Sequence, residues 1–568
     1  VGFAAADTYV VVLALPDMMT SVGLNVDQLQ RAAPIVSGFL LGYIAMLPLI
    51  GRIADLRGRI PVLVGSLVVF SLGSLVTAAS YDLATMVTGR FIQGVGGGGL
   101  VPATLALVAD IWAVERRGLP LGVVGAVQEL GSVLGPLYGA AVLAVSTWRA
   151  IFWLNLAAGL LLAVALLALS RNAERQLTRP EPAATAHRDW LGAVLGGGAL
   201  TVLALVMIAP HRLTSGVTTG LAYLPYFGDS RWATPMALAC YVLTAAFLLR
   251  QLTATRPLVD LRSAGTVTSS ADLLGAGLLA VALGGVVLAF ATADPKVEVV
   301  SSRGTELLLV TAIASGLFVW RQRRAAAPLI PRHALTARSA WGALVVSFFV
   351  GSALIAALVD IPVFARVTVY QNSQLGAALV LVRLLAALPV GALVGGYLLA
   401  RIPVGYLAGG GMTLAAAGFL QMTRWDLYAL HGGEATAALA VCGFGFGLAI
   451  APVNAALLAA TRAEVHGVAS ALLIVTRMIG MLVGISALTT IGLRRFYALS
   501  ATIPSIAQVC HSQTLCHAYV LKLKEAGIAQ LHTVFFGAAV CAGIAVLLAA
   551  VLLRSVAAPQ RGVRTYGL

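Results

Sequence analysis

Sixteen apolar stretches, each near the length of a helix that crosses a lipid bilayer, run through this chain. A bilayer's hydrocarbon core is about 30 Å thick, so a helix rising about 1.5 Å per residue needs about 20 apolar residues to cross it. The stretches fall near 2–23, 33–51, 60–80, 83–108, 119–145 and 149–170, then 190–209, 232–251, 270–292 and 305–321, then 341–365, 375–399, 402–421, 436–460, 466–497 and 530–554. Hydrophobic residues make up 60% of the chain and charged ones 10%, and the mean hydropathy is +0.94. A soluble domain carries far more charge. The reading is an all-α polytopic membrane protein of about sixteen spans, and 60 glycines suit helices that pack closely in lipid.

The stretches group as six, four and six. Residues 1–170 are expected to form an N-terminal six-helix bundle, 171–338 a linker region, and 339–568 a C-terminal six-helix bundle with an outer segment near 498–529. The four middle stretches read as a duplicated hairpin. Asp189-Trp-Leu-Gly-Ala matches Asp272-Leu-Leu-Gly-Ala, and Phe247, Arg250, Gln251, Pro257 and Leu258 match Phe318, Arg321, Gln322, Pro328 and Leu329. Hairpins added in pairs preserve the orientation of every later span.

The net charge of +15 is set out as topology rather than as a nucleic-acid surface. One set of loops carries Arg52, Arg57 and Arg59, then Arg116 and Arg117, then Arg171, Arg175, Arg179 and Arg188. The same set continues with Arg256 and Arg262, then Arg321, Arg323, Arg324, Arg332 and Arg338, then Arg554, Arg561 and Arg564. The opposite loops are mixed, as in Asp27 with Arg31, Asp294 with Lys296, and Arg424 with Asp426. By the positive-inside rule the first set is cytoplasmic, and both termini lie inside, as an even number of spans requires. No nucleic-acid partner is expected. The chain opens with Val1, so a preceding piece is expected, and no charged region of a signal peptide leads the first stretch.

Enzyme classes are excluded by what the chain lacks. It has no nucleophile–base constellation, and Gly96–Gly99 is not followed by the Gly-Lys-Ser/Thr of a phosphate loop. The outer segment holds Cys510-His-Ser-Gln-Thr-Leu-Cys516, two cysteines that close a disulfide or stay free thiols. His511 and His517 beside them lack the second cysteine pair of a zinc site, so no metal is expected. Cys240, Cys442 and Cys541 sit in apolar stretches and read as packing.

A few polar residues stand where lipid should be. The stretch Gly125–Gly139 reads GAVQELGSVLGPLYG. Gly131, Gly135 and Gly139 share one helix face and admit another helix closely. Pro136 removes a backbone donor, so the helix should bend there. Glu129 lies in the same apolar run, and a carboxylate at membrane depth marks a functional site or a structural pair with an arginine. Asp7 in the first stretch poses the same question. Arg90, in Arg90-Phe-Ile-Gln-Gly94 with Gly98 following, needs a carboxylate partner or water, or else snorkels to the surface. Arg477 and Arg383 are candidate partners for Glu129, and Asp360 is a further acid in the seventh core stretch. Between the second and third stretches, Gly51-Arg-Ile-Ala-Asp55-Leu-Arg57-Gly58-Arg59 is a tight charged turn. Asp55 there can pair with a helix N-terminus or with an arginine across the domain interface, and the start of the eleventh core span near Gly467 is its expected neighbour.

These stretches resemble the major facilitator superfamily. The glycine ladder ending in Gly135-Pro136 is similar to its antiporter signature, and Gly51–Arg59 is similar to its Gly-x-x-x-Asp-x-x-Gly-Arg loop, departing at Leu56 and Ile60 where basic residues are common. Asp7-Thr-Tyr-Val-Val-Val-Leu-Ala-Leu-Pro16, Trp148-Arg-Ala-Ile-Phe-Trp-Leu-Asn155 and Gly467-Val-Ala-Ser through Arg477-Met-Ile-Gly480 resemble its drug:proton antiporters, which carry extra spans between two six-helix halves. Asp7, Gln128–Tyr138, Asp360 and Arg477–Gly484 are closest to the mycobacterial branch that exports triacylglycerides with a periplasmic lipoprotein. The hairpin near 190–251 departs from that branch as an insertion.

The resemblance implies a monomeric secondary transporter of the bacterial inner membrane, exporting a lipid or amphipathic compound by alternating access. It implies no cofactor; the proton gradient supplies the energy. Asp7, Glu129, Arg90 and Arg477 would couple protons, and Gly51, Asp55, Gly58 and Arg59 would form a cytoplasmic latch between the halves. Asp360 and Arg383 would belong to the cavity or a gate. The competing readings are a general multidrug:proton antiporter and a membrane sensor or scaffold that keeps the fold without transport. An apolar cavity favours lipid; several aromatics and acids favour cationic drugs.

Overall fold

A computed structural model describes residues 1–24, 29–177, 189–228, 230–254, 257, 262, 271–291, 303–332, 334–370, 373–510 and 516–554. Asp27, Arg179, Arg188, Arg256, Leu258, Asp294, Lys296, His511, Arg561 and Arg564 lie outside the described residues.

Sixteen long helices occur among the described residues, one for each apolar stretch. The first six are α1 Gly2–Ser21, α2 Leu29–Arg57, α3 Arg59–Ala78, α4 Leu83–Ile111, α5 Gly118–Val145 and α6 Trp148–Leu177. The middle four are α7 Trp190–Ile208, α8 Pro235–Thr253, α9 Leu273–Ala291 and α10 Gly304–Arg324. The last six are α11 Arg338–Val367, α12 Gln374–Leu398, α13 Val404–Met422, α14 Gly433–Ala460, α15 His466–Ser500 and α16 His517–Leu552. Thirteen are long and apolar enough to cross a membrane, and α5, bent by 41° between Gly118–Ser132 and Leu137–Val145, makes a fourteenth. Helices α1 and α13 do not meet that measure among the described residues, so sixteen spans is the count of helices rather than of independently sufficient ones.

Local chemistry sets the helix ends. The α2–α3 break falls at Gly58, whose φ of +91° a side chain would resist. Asp82 begins α4 with a reciprocal cap, accepting from the Thr85 N–H at 2.7 Å while Thr85 Oγ1 accepts from the Asp82 N–H at 3.4 Å. The bend in α5 falls at 133–136, where Gly135 and Pro136 stand, and Pro136 has no N–H to give the helix ladder.

Helices α1–α6 form one bundle, with α4 between α2 and α3, α6 on α3 and α5 on α1. Helices α11–α16 form the second, with α14 between α12 and α13, and α16 against α11, α13 and α15. Phe364, Phe419, Trp425 and Phe535 form a ring cluster in the core of the second bundle, Phe419 stacked on Phe535 and Trp425 edge-on to it. The bundles meet crosswise. The second helix of one, α2, packs on the fifth of the other, α15, and the fifth, α5, packs on the second, α12. This exchange is what two similar halves related by a two-fold axis produce.

The middle helices pair as α7 with α8 and α9 with α10. Both pairs are closed by the same joint. Asp189 caps α7 through the Gly192 N–H at 3.1 Å and accepts from Arg250 Nε at 2.9 Å; Asp272 receives the Gly275 N–H at 3.2 Å and Arg321 Nε at 3.0 Å. Burial alone would raise the Asp189 pKa, but the bonds from Arg250, Gly192 and Gln251 outweigh it and hold the carboxyl below its ordinary value. Helix α9 lies against α2 and α15, whereas α7 touches α3.

The segment near 498–529, expected from sequence to be an outer loop, is largely helical. Helix α15 runs on to Ser500 and α16 starts at His517, so helix covers much of it. Lys522, Lys524 and Glu525 interrupt the apolar run without interrupting the helix. Between the two helices Cys510 and Cys516 form a disulfide with Cα atoms 5.6 Å apart.

Candidate functional site

The first polar constellation lies inside the N-terminal bundle. Asp7 on α1 and Arg90 on α4 are both nearly fully buried and form an ion pair, Arg90 Nη1 to Asp7 Oδ2 at 2.7 Å. Gln93, one turn along α4, donates to Asp7 Oδ1 at 3.1 Å and to Ser74 Oγ at 3.0 Å, and accepts from Arg90 at 2.6 Å. Asn155 on α6 donates to the same carboxylate oxygen. The guanidinium lies 4.5 Å from the Phe39 ring centre and 5.7 Å from that of Phe152. Of the alternatives open for Arg90, the structure shows the carboxylate partner and not snorkelling, and that partner is Asp7; a buried cation and anion on facing helices compensate each other.

The second constellation joins the bundles. Asp55, at the end of α2, accepts the backbone N–H groups of Gly467 at 2.8 Å and Val468 at 2.9 Å, the exposed donors at the start of α15. Arg59 bonds Asp55, donates to Asp110 at 3.1 Å, and reaches the Ala463 carbonyl at 3.0 Å across the interface. Gly51 and Gly467 let the backbones touch: a Cβ on Gly51 would stand 2.6 Å from the Gly467 carbonyl oxygen. Gly118 and Gly122 of α5 approach Gly396 and Ala392 of α12 in the same way.

The third is a cavity between the bundles of about 770 Å³, its open side included. The N-terminal bundle contributes Tyr43, Gln128, Glu129 and Ser132, together with Ala4, Ala5 and Val101. The C-terminal bundle contributes Leu354, Leu358, Leu385, Ile474, Met478 and Met481, and one charge, Arg477. Glu129 is buried in the wall, and Arg477 lines the same cavity from the other bundle. No ion pair within 4.0 Å joins the two among the described residues.

The glycine ladder serves α1. Side chains at Gly131, Gly135 and Gly139 would meet Gly2, Ala6 and Val10, so the ladder seats α1 on α5 beside Glu129. Asp360 is buried in α11 and does not line the cavity. Arg383 does not reach Glu129 either. It lies on the flank of α12 that faces α14 and donates to Thr436 at 2.9 Å. Among the described residues, neither hairpin contributes to the cavity lining. Sequence reasoning missed Tyr43, Asp110, and the roles of Gln93 and Asn155, although the i, i+3 spacing of Arg90 and Gln93 was a signal for that pair.

The model of the Major Facilitator Superfamily matches residues 1–294. A triacylglyceride transporter of Mycobacteroides abscessus is 35% identical over 503 residues, covering 87% of this chain and 80% of the relative. One of Mycolicibacterium smegmatis is 32% identical over 560 residues, covering 96% and 84%, and one of Mycobacterium tuberculosis is 34% identical over 524 residues, covering 89% and 84%. Among solved structures, the human organic anion transporter MFSD10 matches with a TM-score of 0.52 at 14% identity over 96% of both chains, a likeness of fold alone.

Proposed function

The chain belongs to the Major Facilitator Superfamily, and on that premise we propose that it is a proton-coupled exporter that moves a lipid or amphipathic compound by alternating access. The family makes it a multi-pass membrane transporter and not an enzyme. The observation that carries the finer reading is the cavity, where Glu129 from one bundle and Arg477 from the other share a wall that is otherwise largely apolar. When Glu129 is ionised, the two charges attract and hold the walls together. Protonation removes that attraction, so proton occupancy biases which face of the cavity is open. Arg90 and Asp7 form the second coupling pair, deeper in the N-terminal bundle.

In this reading the Asp55 latch is cytoplasmic, both termini lie on that side of a bacterial cell membrane, and its closure belongs to the outward-facing half of the cycle. Lipid is favoured over cationic drugs because the described lining offers one acid, one aromatic ring and a long run of leucine and methionine. The named relatives support the same substrate class. A periplasmic lipoprotein would receive the product, and the transporter works as a monomer. The test is export from proteoliposomes under an imposed proton gradient, with a fluorescent triacylglyceride analogue and a cationic dye run in parallel. The analogue should move and the dye should not. Movement of the dye alone would make the protein a multidrug antiporter, and movement of neither would favour the sensor reading.

A further inference from the structure

The connection between α7 and α8, residues 209–234, is folded back on itself yet turns its large apolar side chains outward. Its backbone is held by bonds from the Gly220 N–H to the Gly216 carbonyl at 2.7 Å and from the Tyr226 N–H to the Ala233 carbonyl at 2.8 Å. The Thr219 hydroxyl is satisfied within the segment by the Leu213 carbonyl at 2.7 Å. Arg231 pins the segment to the first bundle: it donates to the Met207 carbonyl at 2.6 Å and lies 4.3 Å over the Tyr81 ring. On this held frame Val217 is 91% exposed and Phe227 78% exposed, and Leu221, Leu224 and Tyr226 are exposed beside them. A connection bathed in water shows the reverse pattern, polar outward and apolar inward.

We propose that residues 209–234 lie in the headgroup–acyl boundary of the bilayer that α7 and α8 cross, as an interfacial lipid-binding element. Three observations choose lipid over a protein partner. The segment begins and ends at the tips of two helices long and apolar enough to span, which fixes it at the level of the membrane surface whichever way the chain is oriented. The adjoining ends of those helices also turn apolar and aromatic side chains outward, such as Ile208, Leu238 and Tyr241. Its chemistry is that of an interface: Tyr226 and Phe227 expose aromatic rings, Tyr223 and Trp232 stand half-buried beside them, and Arg212 is exposed and suits anionic headgroups. The transport reading does not bear on this proposal.

The test uses the full chain with Cys240, Cys442 and Cys541 replaced by alanine and the Cys510–Cys516 bridge kept. Val217→Cys, Leu221→Cys or Phe227→Cys is labelled with nitrobenzoxadiazole in nanodiscs of phosphatidylcholine and phosphatidylglycerol; Thr502→Cys, exposed in the outer segment, is the control. Nitroxides carried near the lipid headgroup should quench the three loop positions about twofold or more over the control, and iodide in water should do the opposite. Iodide quenching equal to the control, with no lipid quenching, would place the loop in water and overturn the proposal. Shielding from both quenchers would mean cover by protein, a second copy included, and would overturn it as well. Three separate positions keep the test open if one variant fails to fold.

Discussion

Asp7 is the residue whose surroundings most limit what it can do. Its carboxylate meets Arg90, Gln93 and Asn155 at once, with almost no exposure to solvent. Asp7→Asn would keep hydrogen bonds to its neighbours but leave the Arg90 cation buried without a counter-charge, a loss of about 3–5 kcal/mol. We predict a clearly lowered thermal unfolding midpoint in detergent, and recovery of most of it when Arg90→Gln is added. The need of Arg90 for a carboxylate was legible from one arginine in an apolar helix. Which carboxylate was not. Sequence gives depth along a helix but not the rotation of one helix against another, and Asp7 and Arg90 are brought together only by the packing of α1, α4 and α6. The same limit explains Arg383, whose depth suits Glu129 but whose flank of α12 faces Thr436.

At the scale of elements, the latch is an acid placed at the start of another helix. Asp55 takes two N–H groups of α15, an arrangement worth about 0.3–1 kcal/mol on a surface and up to about 2 when partly buried. Asp55→Asn is therefore expected to slacken the contact without unfolding either bundle. The check is the reactivity of Val465→Cys, buried beside the latch, toward a water-soluble maleimide, which should rise in the variant; unchanged reactivity would leave Asp55 without a latching role. Asp55 and Gly467 were legible as neighbours because an acid complements the positive end of a helix dipole and the family resemblance implied a latch between the halves. The long helices α15 and α16 were less so. Charges at Lys522, Lys524 and Glu525 end an apolar run, yet helix propensity carries α16 through them to His517.

For the whole molecule, the crosswise packing of α2 on α15 and α5 on α12 joins the two bundles along a seam that holds the cavity. A disulfide between Gly125→Cys and Ile450→Cys, neighbours across that seam, should lock the bundles and stop transport until it is reduced. The positions of the sixteen helices were legible because hydrophobic length is written locally in the chain; the seam was not, because small residues such as Gly118, Gly122 and Gly396 mark close approach without naming their partner. The central claim is that Glu129, facing Arg477, couples proton movement to the rocking of these bundles. It is tested most directly by lipid export from proteoliposomes carrying Glu129→Gln, measured with and without an imposed proton gradient. The account predicts that the variant reaches the membrane and still exchanges lipid down its concentration gradient, but loses the gradient-driven component; uphill export at the unsubstituted rate and pH dependence would contradict it.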